Sequence, residues 1–295
     1  MIALRFLPAL ALLLALPLAQ AVAGPSSAVT KRPSATADSD TAVLRKVING
    51  SWRDRDNRSR DRYRHPVETL VFFGLTPRMN VIEITPGGGW YSEILAPYLK
   101  AEGHYTGAMF DPASTTDAKR SAYYQGQWDK LGEKFAGNPA QYDKARLIRI
   151  DPANPQLGEA GSADMVLTFR NVHNWMMADQ ADDMFAAFFK VLKPGGVLGV
   201  VEHRARDVAG EQGGKTGYVA TETVVSLATA ARFELESSSQ VNANRLDSRD
   251  HPNGVWTLPP SMRHDEADRA KYLTIGESDR MTLRFVKPKA ATPAN

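Results

Sequence analysis

Short apolar runs alternate along the chain with longer stretches in which apolar residues recur every three or four positions. That alternation is the signature of βαβ units and a largely parallel sheet. Strands are predicted at Asn80–Ile84, His104–Phe110, Ala145–Ile150, Ala163–Phe169 and Val197–Glu202, with helices near Tyr91–Leu99, Thr116–Phe135 and Ala181–Leu192. The last of these helices carries Phe185, Phe188, Phe189 and Leu192 on one face. Lys193-Pro194-Gly195-Gly196 then breaks it and turns the chain into the fifth strand. Beyond lie a predicted helix at Thr221–Ala231 and two further strands, Phe233–Gln240 and Arg280–Lys287. Between those two strands residues 243–279 are polar and contain prolines, which in a folded domain marks a functional loop. The expected fold is α/β, a doubly wound sheet.

Upstream, Val43, Leu44, Val47 and Ile48 recur at helical spacing. The segment from Arg53 to His65 then holds six arginines against three aspartates. It reads as a solvated helix, with Asp54–Arg58 and Asp56–Arg60 pairs contributing about 0.2 to 0.5 kcal/mol each. Pro66 suits the first turn of the next helix, with Glu68 near its positive end. At the start, Arg5, the apolar run Leu7–Leu18 and Ala21-Val22-Ala23 form the three parts of a secretory signal peptide, cleaved near Ala23. Residues 24–40, rich in Ser, Thr, Pro and Ala, read as a disordered linker, leaving 41–295 as a single domain. A periplasmic or secreted protein without a stable membrane anchor is expected.

The 295 residues are 43% hydrophobic, carry a net charge of +3 and include no cysteine. Disulfides and thiolate metal sites are therefore excluded. No global basic field argues for nucleic acid, so the expected partner is a small molecule.

The most informative segment runs Val81-Ile82-Glu83-Ile84-Thr85-Pro86-Gly87-Gly88-Gly89-Trp90-Tyr91-Ser92: a strand, a glycine turn and a helix start. In an open parallel sheet the ligand lies beyond the carboxyl ends of the strands, where such a turn forms its floor. The G-x-G-x-x-G spacing of a dinucleotide site is missing, which disfavours a nicotinamide oxidoreductase. Asp111 closes the second strand, Asp151 follows the third, Arg170-Asn171-Val172-His173-Asn174-Trp175 follows the fourth, and Glu202-His203 closes the fifth. His173 is the best candidate for a general base, because imidazole titrates near neutral pH.

On these residues the chain resembles class I, Rossmann-like S-adenosylmethionine-dependent methyltransferases. In detail it looks like an exported bacterial branch with the pattern R-D-x-Y-R-H-P…E-x-x-P-G-G-G-W-Y, matched from Ser51 to Lys287. The resemblance implies seven strands with the last antiparallel, an amino-terminal helical lid, and S-adenosyl-L-methionine as cofactor. It implies that Glu83, Thr85, Pro86, Gly87, Gly88 and Gly89 hold the methionine end, that Asp111 meets the ribose, and that Asp151 meets the adenine. Arg170 and Asn171 would complete the cofactor set. His173 and His203 would be catalytic, and Arg64, His65, Glu68, Trp90, Tyr91, Trp175 and Glu202 would contact substrate, an anionic one suiting the arginines. His251, Trp256 and His264 are weaker candidates of the same kind. Methyl transfer needs no metal, and none is expected. The alternative is a catalytically silent protein of the cell envelope that binds a nucleoside or S-adenosylhomocysteine.

Overall fold

A computed structural model of the chain describes residues 35–207 and 213–289. The predicted signal peptide and the first part of the linker lie outside these residues. The remainder of the linker differs from expectation: helix α1 (Ala35–Ile48) begins ahead of Thr41. Its apolar side buries Leu44, Val47 and Ile48, and Asp40 accepts a hydrogen bond from Arg78 Nη2 at 2.6 Å. Contacts at Asp40 and along the Leu44, Val47 and Ile48 face thus hold as helix a stretch whose composition alone reads as disordered.

The arginine-rich segment forms two short helices, α2 (Arg55–Ser59) and α3 (Asp61–Arg64). The solvated-helix pairs of the sequence reading give way to other contacts: Asp54 caps α2 through Asp56 N and Asn57 N, while Arg53 turns inward to Asp61. His65, at φ +40, separates them from α4 (Pro66–Phe73), which ends at Gly74 with φ +78. There follow β1 (Asn80–Ile84), α5 (Ser92–Leu99), β2 (His104–Phe110), α6 (Ala118–Ala136), α7 (Pro139–Tyr142) and β3 (Arg146–Ile150). The second half comprises β4 (Ala163–Phe169), α8 (Val172–Met177), α9 (Ala181–Val191), β5 (Leu192–His203), α10 (Thr221–Ala230), β6 (Glu234–Ser239), α11 (Arg269–Ile275) and β7 (Arg280–Val286). Strand β5 starts earlier than the pattern predicted, because Leu192 pairs with Ala163 and the Lys193–Gly196 turn is looped out before Val197 rejoins the ladder opposite Met165.

The seven strands lie in the order β3-β2-β1-β4-β5-β7-β6, with β7 antiparallel to both its neighbours. Alternate residues of β4 feed opposite faces of the sheet, Val166 joining Phe185, Phe188 and Val200, and Met165 and Leu167 joining Leu70, Phe73 and Ile94. Each such large side chain contributes roughly 1.5 to 3 kcal/mol on leaving water. The order reverses between β1 and β4, so a crevice opens beyond their carboxyl ends. Among the described residues no helix is long and apolar enough to cross a membrane.

Candidate active site

A cavity of about 880 Å³ occupies that crevice. Its floor is the β1–α5 turn, from Glu83 to Gly88; its walls come from the tips of β2 and β4, from α6, and from residues 255–261 of the late loop. Asn57, Arg60 and Arg64 of the amino-terminal helical segment complete the wall.

The three glycines have different reasons for being there. Gly87 holds φ +57, and a Cβ on it or on Gly88 would meet nothing closer than 3.9 Å, so both leave open space over the floor. Gly89 faces the protein instead: a Cβ there would stand 2.7 Å from Leu131 Cδ1, and the residue does not line the cavity. Its role is to let α6 close on the turn, which corrects its reading as a cofactor contact. Thr85 sits at φ +46, rare for a residue with a side chain, and its Oγ1 is buried with no partner among the described residues. A strained residue presenting an unpartnered hydroxyl at a cavity floor is the pattern of a ligand contact.

Glu83 is buried, and its Oε2 accepts hydrogen bonds from Ser92 Oγ at 2.8 Å and Tyr105 Oη at 2.7 Å. Burial pushes its pKa up to about 7, against the pull of those two hydroxyls and of Arg170. Oε1 makes no hydrogen bond among the described residues, so one oxygen remains for a ligand.

His173 heads α8, 4% exposed, with Nδ1 3.1 Å from Glu202 Oε1. A carboxylate accepts there, so Nδ1 carries the proton of that hydrogen bond. Glu202, read from sequence as a substrate contact, is fully buried and does not line the cavity; it also accepts from the backbone N–H groups of His173 and His203. It therefore orients the histidine. His203 lines the cavity, its Nδ1 bonded to Ser278 Oγ at 2.5 Å, and burial, with neighbouring positive charge, holds its pKa well below the usual histidine range. Donor atoms of His173, Glu202 and His203 come within 4.8 Å of one another, a set with metal-ligand chemistry. Arg280, Arg170 and Arg64 act on the same spot and oppose a cation.

Other sequence candidates divide. Thr85, Pro86, Gly87, Gly88, Trp90, Tyr91, Arg170, Asn171, Trp175 and Trp256 line the cavity. Tyr91 stacks on Phe169 at 3.5 Å between ring centroids, and Trp90 carries Arg64 over its ring at 4.7 Å. Trp175 is 1% exposed and packs on Phe188, so it serves chiefly as core. Asp111 and Asp151 do not line the cavity: each carboxylate accepts a local backbone N–H, Ala113 N at 3.0 Å and Ala153 N at 2.9 Å. Asp111 also lies 3.6 Å from Arg149. His65 and Glu68 lie outside the cavity, Glu68 exposed to solvent. His251 pairs with Asp247 and His264 with the Asp265 carbonyl, both away from it.

Sequence reasoning missed Arg60, Arg280 and the residue that joins them, Glu277. Glu277 Oε1 accepts from Arg60 Nε at 2.6 Å, Oε2 from Arg64 Nε at 3.1 Å, and Arg280 Nη2 donates to Oε2 as well. Arg60 and Arg64 lie more than two hundred residues from Glu277, and no local pattern announces that they meet it.

By sequence the chain matches no family model and no curated protein. Solved structures do resemble it. The cyclase SpnF is 16% identical at a TM-score of 0.53, over 85% of this chain and 93% of that one. The StiE O-MT segment is 16% identical at 0.51, over 84% and 82% respectively. A SAM-dependent methyltransferase from Aquifex aeolicus is 13% identical at 0.49, over 84% and 98%. At such identities the likeness is one of fold: a seven-stranded mixed α/β sheet of the Rossmann-like methyltransferase type.

Proposed function

We propose that the crevice binds S-adenosylmethionine and that the protein transfers its methyl group to a small molecule. The carrying observation is the strand, glycine turn and helix flooring a nucleoside-sized cavity at the reversal of strand order, with Thr85 Oγ1 buried there without a partner and Glu83 bonded through Oε2 alone among the described residues. Glu83 would receive the cofactor's ammonium group, and Gly87 and Gly88 would let backbone approach it. Asp111, whose Oδ1 accepts from Ala113 N, would have to turn its partly exposed carboxylate toward the cavity to meet the ribose. When bound, the cofactor supplies an electrophilic methyl on a sulfonium. The chain's own work is then to align the acceptor and to take its proton at His173 Nε2, with Glu202 holding the ring.

The amino-terminal segment supports export of the chain to the periplasm, where a cytosolic cofactor would be scarce. That circumstance, together with a cyclase among the similar folds, favours a second reading in which the cleft binds the cofactor or its demethylated product without methyl transfer. Incubating the full chain with methyl-labelled S-adenosylmethionine and a small-molecule extract separates the two. The first reading predicts labelled product that disappears in His173→Gln; cofactor binding without labelled product would favour the second.

A further inference from the structure

Four guanidinium groups converge on the cavity wall from separate parts of the chain: Arg60 and Arg64 from the helical segment, Arg170 from the tip of β4, and Arg280 from the start of β7. Among the described residues Glu277 is the carboxylate that pairs with three of them. Burial alone would raise its pKa, but Arg280, Arg64, Arg60 and Arg170 together hold it well below the usual carboxylate range. It is thus fully charged and still outnumbered.

The fourth guanidinium is the odd one. Arg170, at φ +62, makes no side-chain hydrogen bond or ion pair among the described residues, and burial beside Arg280 lowers its pKa to about 10. Glu83 acts on it electrostatically, but the Glu83 hydrogen bonds go to Ser92 and Tyr105. Donors are also left over on its companions. Arg64 and Arg280 are each 2% exposed, and Arg64 Nη1, Arg280 Nε and Arg60 Nη2 are buried without partners among the described residues. Clustered like charges with unmade hydrogen bonds are costly to bury unless something negative joins them. Guanidinium forks suit a planar or tetrahedral oxyanion, which they grip through paired N–H donors.

Position selects the source of that oxyanion. The cluster lies over β4 and β7, beside His173 and His203, on the opposite side of β1 from β2 and β3, where Asp111 and Asp151 stand. We infer that Arg60, Arg64, Arg170 and Arg280 form the receiving site for a carboxylate or phosphate on the molecule that is methylated. Its role as a substrate subsite rests on the methyl-transfer reading; its affinity for an anion does not. The arginines anchor the anion while the rest of the substrate extends towards His173 Nε2.

The test is thermal denaturation of the full chain in inorganic phosphate, against chloride at matched ionic strength. Phosphate should raise the midpoint saturably, and Arg170→Gln, which breaks no side-chain hydrogen bond or ion pair among the described residues, should need at least ten-fold more phosphate for the same rise. Arg60→Gln, which leaves Glu277 paired with Arg64 and Arg280, should act in the same direction. No rise beyond chloride, or unchanged phosphate dependence in both variants, overturns the site. The titration is then repeated with saturating S-adenosylhomocysteine. A persisting phosphate response supports a substrate subsite, whereas its abolition gives the cluster to the cofactor's own carboxylate and overturns the assignment. Failure of S-adenosylhomocysteine to bind, with the phosphate response intact, refutes methyl transfer and leaves the anion site standing.

Discussion

Replacing Glu83 with glutamine tests the electrostatics of the cleft floor. The native carboxylate has its pKa raised from 4.5 to about 7, chiefly by burial. Between those values the unfolded chain has lost the proton while the folded chain keeps it, so the stability Glu83 contributes is present below pH 4.5 and is lost as pH rises towards 7. At about 1.4 kcal/mol per unit, the loss amounts to roughly 3 kcal/mol. Glutamine retains a carbonyl oxygen to accept from Ser92 and Tyr105 but does not titrate. Urea unfolding of both proteins from pH 4.5 to 8 should therefore show Glu83→Gln gaining about 3 kcal/mol on the native chain across the window. Curves that run parallel would refute the reasoning. A cofactor ammonium bound at Glu83 adds a second signature: native affinity for S-adenosylhomocysteine should fall as pH drops below 7, by at most about ten-fold per unit, while the variant stays flat.

The glycine turn makes a paired prediction. Gly89→Ala meets Leu131 at 2.7 Å on a backbone at φ +82 and should cost about 2 to 4 kcal/mol in thermal or urea unfolding. Gly88→Ala, with 3.9 Å of clearance, should leave stability within about 0.5 kcal/mol. At the base, nitrogen-detected NMR should find the His173 proton on Nδ1 in the native chain and lose that preference in Glu202→Ala; a proton on Nε2 would contradict the assignment. Once an acceptor is known, His173→Gln should slow methyl transfer by about 10²- to 10⁴-fold.

Much of the fold was legible because its strands are short apolar runs bounded by turn residues, and β1, β2 and β4 fall where the pattern put them. The edges of elements were harder. Helix α1 begins early because tertiary anchors at Asp40 and Leu44 override a polar composition, and β5 absorbs a glycine turn that sequence reads as a boundary. The floor of the site was visible as a local motif. The arginine cluster was half visible, since Arg64 and Arg170 lie in conspicuous segments, whereas Glu277 and Arg280 gain meaning only when β7 folds back beside β5. Spacing also could not tell a glycine that opens a cavity from one that admits Leu131, nor show that Asp111 bonds its own turn.

Calorimetric titration of the full chain with S-adenosylhomocysteine tests the central claim most directly. One-to-one binding is predicted, weakened at least ten-fold by Gly88→Val, which would fill the space over the floor, and by Asp111→Ala. An absence of binding at millimolar ligand, or equal affinity in all three proteins, would contradict the account.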